Sequence, residues 1–427
     1  VAIVAFFLFS LKYVPRKDVI LPKLILILLL FQNFCIGMGA HFAGNYDSSL
    51  QLLTQIPTFL ILISAAYIFI TQQVSKKGLF IIYALFIVSY LFRGNGHMST
   101  AIVYLRNFFV FYLVWIIGKN NIDTVEKREE FLQFYVKLAL FAGVFGLVGV
   151  ILGSKFFNMI GVREVYLGKG WEILQGSTPG NFRTLFFGKW VNRMASLYYE
   201  PVNFSYFIFL AVIICLYTKR KALFVFLLFC GILTFGKGGI FVFGFTVIGV
   251  SFHTLLHVKF LKANRKRIML FMLFFFAAVV AYISVFKRSD FGTYNHFYGF
   301  FSAITVILNN PLGFGMGTAG NILRSYMRDG NYVATESAIA TMGYQIGVPG
   351  VLMFFVLLCR TGADVFFNRK KVSTNYKLCI AASYLPFILF LVSVFQENTL
   401  SPQAIAPYML MVGAYGTHYD SMKESSL

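Results

Sequence analysis

Apolar residues arrive in runs of roughly 20, the length a helix needs to cross the hydrocarbon core of a bilayer. Read this way, the chain predicts spans over 19–38, 52–71, 79–92, 98–117, 131–153, 201–217, 222–236, 240–258, 268–286, 336–358, 377–395 and 403–417. The stretch 1–11 is apolar but too short to cross, and reads as a partial first span. The polar connections between the runs alternate in kind. Every second one gathers lysine and arginine: Lys12, Arg16 and Lys17; Lys76 and Lys77; Lys119, Lys127 and Arg128; Lys219, Arg220 and Lys221; Lys262, Arg265, Lys266 and Arg267; Arg369, Lys370 and Lys371. The positive-inside rule places these in the cytoplasm. Connections 39–51, 93–97, 154–200, 236–239, 287–335 and 396–402 then face outward. Two of them, 154–200 and 287–335, are long enough to be read as functional loops. The fold class expected is an all-α polytopic integral membrane protein, one bundle over 1–427 with about 12 to 13 transmembrane helices.

Composition agrees. The chain is 58% hydrophobic and 12% charged, far from the make-up of a soluble domain. A formal net charge of +21 would ordinarily point to nucleic acid, but its placement in alternate loops assigns it to membrane topology, so no nucleic-acid partner is expected. Cys35, Cys215, Cys230, Cys359 and Cys379 lie in or beside apolar runs without metal-type spacing, and read as packing residues.

The two long outer loops keep cations where the rule expects few. Loop 154–200 holds Lys155, Arg163, Lys169, Arg183, Lys189 and Arg193; loop 287–335 holds Lys287, Arg288, Arg324 and Arg328. They serve either an anionic ligand or lipid headgroups. Glu336 stands at the start of the next span. In a helix from Thr335 onward it would share a stripe with Ala340, Gly343, Gly347 and Gly350, a small-residue face turned into the bundle. An inward carboxylate there is a candidate for chemistry; the plainer role is to complement the helix dipole.

The other candidates follow from local chemistry. Pro201 suits a first helical position, leaving Arg193 and Glu200 just outside the membrane, with Glu200 placed to pair with Arg193 and hold it. Lys237 sits in the tight turn LTFGKGG as either a headgroup anchor or a phosphate contact. A short helix over 319–328, capped by Thr318, would put Arg324 and Arg328 on one face where two guanidiniums grip one anion. The series Gly313, Gly315, Gly317 is compatible with a backbone nest for phosphate. His296 is an alternative base or a structural histidine. No Asp-x-Asp occurs and the outer carboxylates Asp47, Asp290, Asp329 and Glu397 are scattered, so neither a metal nor another cofactor is expected. The middles of the spans read as Phe, Leu, Ile and Val with charge at their outer ends, unlike a transporter or a flippase for lipid-linked oligosaccharides.

Arg193 with the following SLYYEP, the LTFGKGG turn, and NPLGFGMG followed by TESAIATMGYQIGVPG together resemble the O-antigen polymerase and ligase superfamily. These are bacterial enzymes acting on undecaprenyl-diphosphate-linked glycans at the outer side of the cytoplasmic membrane. The likeness covers less than a quarter of the chain. Ligases of that superfamily look to carry a histidine near the position of Glu336, whereas polymerases often show Glu-Ser, as in Glu336-Ser337. The resemblance implies a GT-C-like bundle that transfers a growing lipid-linked chain onto a lipid-linked repeat unit, with inversion at the anomeric carbon. It implies Arg193, Lys237, Arg288, Arg324 and Arg328 as diphosphate contacts, Glu336 as base, and Glu200, Ser337 and His296 in support. Membrane lipids and a chain-length regulator protein are the further partners it implies. A ligase or other lipid-linked glycan transferase is the nearest alternative.

Overall fold

A computed structural model describes residues 18–44, 46, 50, 53–71, 77–93, 96–170, 173, 177–186, 189–255, 291–321, 336–368 and 375–416. The helices are α1 (Ile20–Ala43), α2 (Ile56–Thr71), α3 (Lys77–Ser89), α4 (Met98–Asn121), α5 (Val125–Leu152), α6 (Ser154–Met159), α7 (Val162–Gly168), α8 (Pro201–Tyr217), α9 (Lys221–Leu233), α10 (Lys237–Leu255), α11 (Phe291–Asn309), α12 (Ala338–Asn368), α13 (Tyr376–Ser393) and α14 (Pro402–Tyr415). A single antiparallel hairpin, β1 (Arg183–Phe186) with β2 (Lys189–Asn192), is the sheet present among the described residues. Among the described residues six helices, α1, α4, α5, α10, α12 and α13, are long and apolar enough to cross a membrane. The protein is accordingly a helical, multi-pass membrane protein.

Each predicted span overlaps one of these helices, most within about five residues at either end, although α5 starts earlier than 131 and α12 runs to Asn368, well past 358; 268–286 lies outside the described residues. α8 begins at Pro201, where the missing N–H costs nothing, and is buried from Asn203 to Cys215. α14 is buried along its whole length and starts where the Ser401 hydroxyl accepts the Ala404 N–H at 3.3 Å. It packs on α4 at a glycine crossing. A Cβ at Gly413 would stand 2.4 Å from the Trp115 carbonyl oxygen, so only hydrogen there lets the two backbones meet.

The two long connections carry structure of their own, and the position of Lys237 needs correction. Loop 287–335 contains helix α11, whose Tyr, Asn, His and Gly residues hide its apolar content. Loop 154–200 is built of α6, α7 and the hairpin. Lys237 is the first residue of α10, not part of the preceding turn, and is exposed.

Long-range polar contacts sort the connections into two ends. At one end Lys119 pairs with Asp364 at 3.2 Å, Lys23 with Glu130, and Asn121 donates to the Asp18 carbonyl at 3.1 Å. Asn375 donates to the Tyr217 carbonyl at 2.9 Å there, and His253 meets the Tyr376 hydroxyl at 3.0 Å. At the other end His41 meets Glu164 at 3.3 Å, the Met316 N–H reaches the Tyr90 carbonyl at 3.0 Å, and Asn398 donates to Glu200 at 2.5 Å. The first set joins only connections flanked by lysine and arginine clusters; the second joins only the rest. The alternation read along the chain is thus a division in space into a basic end and an opposite end.

Candidate functional site

The opposite end is organised by a break in α12. Its backbone is non-helical at Gly347, with φ 71° and ψ 179°, and Pro349 starts the continuing segment. The break exposes backbone groups, and the loop after α11 satisfies them. Val348 N–H donates to the Pro311 carbonyl at 2.8 Å, while Phe314 N–H and Gly315 N–H donate to the Tyr344 and Gln345 carbonyls, both at 2.9 Å. Gln345, fully buried, completes the join: its side chain accepts the Gly317 N–H and donates to the Ala319 carbonyl, each at 2.9 Å.

This arrangement overturns two sequence expectations. The stripe from Glu336 to Gly350 is not continuous, because the helix is interrupted at Gly347. The glycine series is not an anion nest either. Gly313 N–H donates to Asn310, Met316 N–H to Tyr90, and the amides of Phe314, Gly315 and Gly317 are those already named, so all five have protein acceptors. Glu336 also lies outside the first turn. Ser337 caps α12, its hydroxyl accepting the Ala340 N–H at 3.1 Å and facing the Ser393 carbonyl at 3.3 Å. A Ser337→Ala protein is expected to lose about 1 kcal/mol of stability, read as a lower unfolding midpoint in detergent.

The carboxylate at the centre of this end is Glu397, in the short connection between α13 and α14. Tyr104 of α4 donates its hydroxyl to Oε1, and the Asn321 N–H lies 3.0 and 3.2 Å from the two carboxylate oxygens. One edge of Glu397 stays open, yet enough protein surrounds it that loss of solvation raises its pKa to about 7. The bonds from Tyr104 and Asn321 work against that rise, and the nearby charge of Glu336 adds to it. Two carboxylates from different connections therefore converge. Asn321 and Glu336 flank 322–335 in sequence; the first bonds Glu397 and the second acts on it through its charge. A cavity of about 10 Å³, room for one water, separates Glu397 from Asn107 of α4 and Thr341 of α12.

Neighbouring residues of the same connection bind the rest of the bundle. Gln396 accepts from the Tyr206 hydroxyl at 3.2 Å, Thr399 meets that hydroxyl at 2.7 Å, and Asn398 reaches Glu200. Glu200 takes its second amide from Asn203 at 2.8 Å. Loss of solvation raises the Glu200 pKa, opposed by Lys169, by the Asn398 bond and by Arg193. The expected Glu200–Arg193 ion pair is not formed: two asparagines hold the carboxylate, and Arg193 is held by carbonyls.

Arg193 donates from Nε to Thr234 at 2.9 Å, from Nη1 to Asn181 at 3.1 Å and from Nη2 to Phe235 at 3.4 Å. The fork thereby ties the end of the hairpin to the turn before Lys237, bringing two of the predicted cation positions together. Arg193→Lys cannot span three carbonyls. It is expected to cost about 2 kcal/mol, seen as a lower detergent unfolding midpoint.

A cation within an apolar run belongs to this end as well. Arg106 lies within α4, next to Asn107, and donates from Nε and Nη2 to the Asn107 Oδ1 at 3.1 and 3.0 Å and from Nη1 to the Gln55 Oε1 at 3.3 Å. Both acceptors are neutral, and no carboxylate among the described residues pairs with it. The reading of uncharged mid-spans is corrected by this arginine, which lies across Asn107 from the Glu397 cavity. Arg288, Arg324, Arg328 and the side chain of His296 lie outside the described residues, as does most of the helix expected over 319–328; Thr318 itself donates to the Gly315 carbonyl at 2.7 Å. No family model matches the chain, and a search of curated proteins finds no match.

Proposed function

We propose that this protein is a polysaccharide polymerase of the bacterial cytoplasmic membrane, working at the end opposite its basic loops, outside the cytoplasm. It would transfer a growing undecaprenyl-diphosphate-linked glycan onto a lipid-linked repeat unit, on a bundle similar to the GT-C glycosyltransferases. The observation that carries the reading is Glu397, held by Tyr104 and Asn321 within range of the Glu336 charge, on a cavity lined by the Asn107 that Arg106 grips, at the end the charge bias assigns to the outside.

The chemistry asks for a base and for cations. An acceptor hydroxyl attacks the anomeric carbon of the donor; the new C–O bond forms as the bond to the diphosphate breaks with inversion, and the diphosphate leaves with the electron pair. Glu397 takes the hydroxyl proton. It is fixed by Tyr104 and Asn321, keeps lone-pair capacity, and titrates near neutrality, where a base is most effective. This moves the role of base from Glu336, read from the sequence, to its neighbour, and leaves Glu336 as the charge that tunes it. The diphosphate is a weak base and needs charge neutralisation rather than a proton. We assign that task to Arg106, Lys237 and Arg193, the last having N–H groups beyond those it spends on carbonyls.

The test is glycan length in a strain lacking the gene, with and without the wild-type copy. The reading expects single repeat units on the surface lipid without the gene and a ladder when it is restored. A normal ladder without the gene contradicts it, as do repeat units retained on the cytoplasmic face.

A further inference from the structure

The hairpin of β1 and β2 carries apolar residues where a soluble loop would not. Its register pairs Leu185 with Trp190 and Phe186 with Lys189. Directly opposed residues share a face, so Leu185 and Trp190 form one surface and Phe186 lies on the other. Leu185 is 55% exposed and Trp190 71% exposed. Arg183 and Lys189 are exposed on the same hairpin.

What lies beneath identifies the occupant of this face. α9 exposes Val225, Phe229 and Ile232, spaced by four and three residues and therefore one stripe of a helix without protein cover. On an apolar helix of a membrane bundle that stripe faces lipid. It runs up to the turn after α9, where Phe235 packs on Phe186 with ring centroids 5.3 Å apart. The hairpin thus continues the lipid-facing stripe past the end of the helix, at the level where acyl chains give way to headgroups. Tryptophan with lysine and arginine around it is the side-chain set that this interface favours, the indole at headgroup depth and the cations on phosphate.

We propose that the hairpin is an interfacial anchor, lying in the headgroup region of the bilayer through Leu185 and Trp190, with Arg183 and Lys189 on lipid phosphates. The consequence concerns height. Asn192 ends β2 and Arg193 follows it directly, so an anchored hairpin holds Arg193 and its tied turn at the depth of phosphates in the outer leaflet. That is where the diphosphate of a membrane-embedded lipid lies. The anchor itself does not depend on the polymerase reading; its value for substrate presentation does.

Trp190 reports on this without any assay of activity. The full chain is reconstituted in vesicles of phosphatidylcholine and phosphatidylglycerol, and the Trp190 signal is taken as the difference between wild type and Trp190→Phe. Lipids brominated at shallow acyl positions are expected to quench that difference about twofold, deep-brominated lipids less, and aqueous iodide hardly at all. Efficient iodide quenching with no effect of brominated lipid would place the hairpin in water and overturn the proposal. Protection from both quenchers would mean that protein covers it, and would overturn it equally. Should Trp190→Phe fold poorly, Trp190→Tyr replaces it as the reference, so that the difference signal still reports on Trp190 alone among the three tryptophans and decides between the same outcomes.

Discussion

Glu397→Gln is expected to lower glycan transfer by about 10³-fold while leaving the protein folded, because the amide keeps the shape and the bond from Tyr104 but cannot take a proton. The effect of the neighbouring substitution separates the two carboxylates. The Glu336 charge helps raise Glu397, so in Glu336→Gln the acid limb of the rate profile moves to lower pH and transfer persists. Tyr104→Phe acts the other way: it removes a donor that favours the ionised form, and the limb moves to higher pH. Should Glu336→Gln abolish transfer and Glu397→Gln spare it, the base is Glu336 and the assignment to Glu397 is wrong. The measurement is initial transfer rate against pH for the purified variants.

Gly347→Ala is expected to be among the most damaging single changes to the fold. The combination φ 71° and ψ 179° is accessible essentially to glycine alone. A Cβ there would also stand 2.5 Å from the Pro311 carbonyl oxygen, the acceptor that receives Val348 N–H. Strain alone amounts to about 3 kcal/mol, and the clash would part α12 from the loop that completes its break. Little monodisperse protein should be recovered. Gly244→Ala is the matched control, since a Cβ in α10 at that position meets nothing within 4 Å. It is expected to leave recovery unchanged or slightly raised, alanine being the better helix former. Equal recovery of the two variants would show that the break in α12 does not require glycine.

The contrast between these two sites reflects what a sequence exposes. Helices such as α8 are legible because an unbroken apolar run and a proline at its start are both local facts. The division of loops into two ends is legible for the same reason, since lysine and arginine mark it one connection at a time. Gly347 is different. A glycine at helical spacing looks the same whether the helix passes through it or stops, and only the approach of Pro311 and Gln345 decides. The glycine series before it looks like an open nest in sequence because the acceptor of Gly315 and Gly317, Gln345, lies in another element. Glu397 reads in the sequence as one of several scattered carboxylates. Its bonding partner Tyr104 lies 293 residues away, and nothing in the six residues around Glu397 announces that contact. Arg106 was hidden by the apolar character of the run that carries it.

The measurement that bears most directly on the central claim uses purified protein and undecaprenyl-diphosphate-linked repeat units, with product chain length followed against pH. Elongated lipid-linked glycan is expected, with a rate that rises with an apparent pKa of about 7 and loss of elongation in Glu397→Gln. Absence of elongation by the wild-type protein, or a pH profile and product length unchanged by Glu397→Gln, would contradict it.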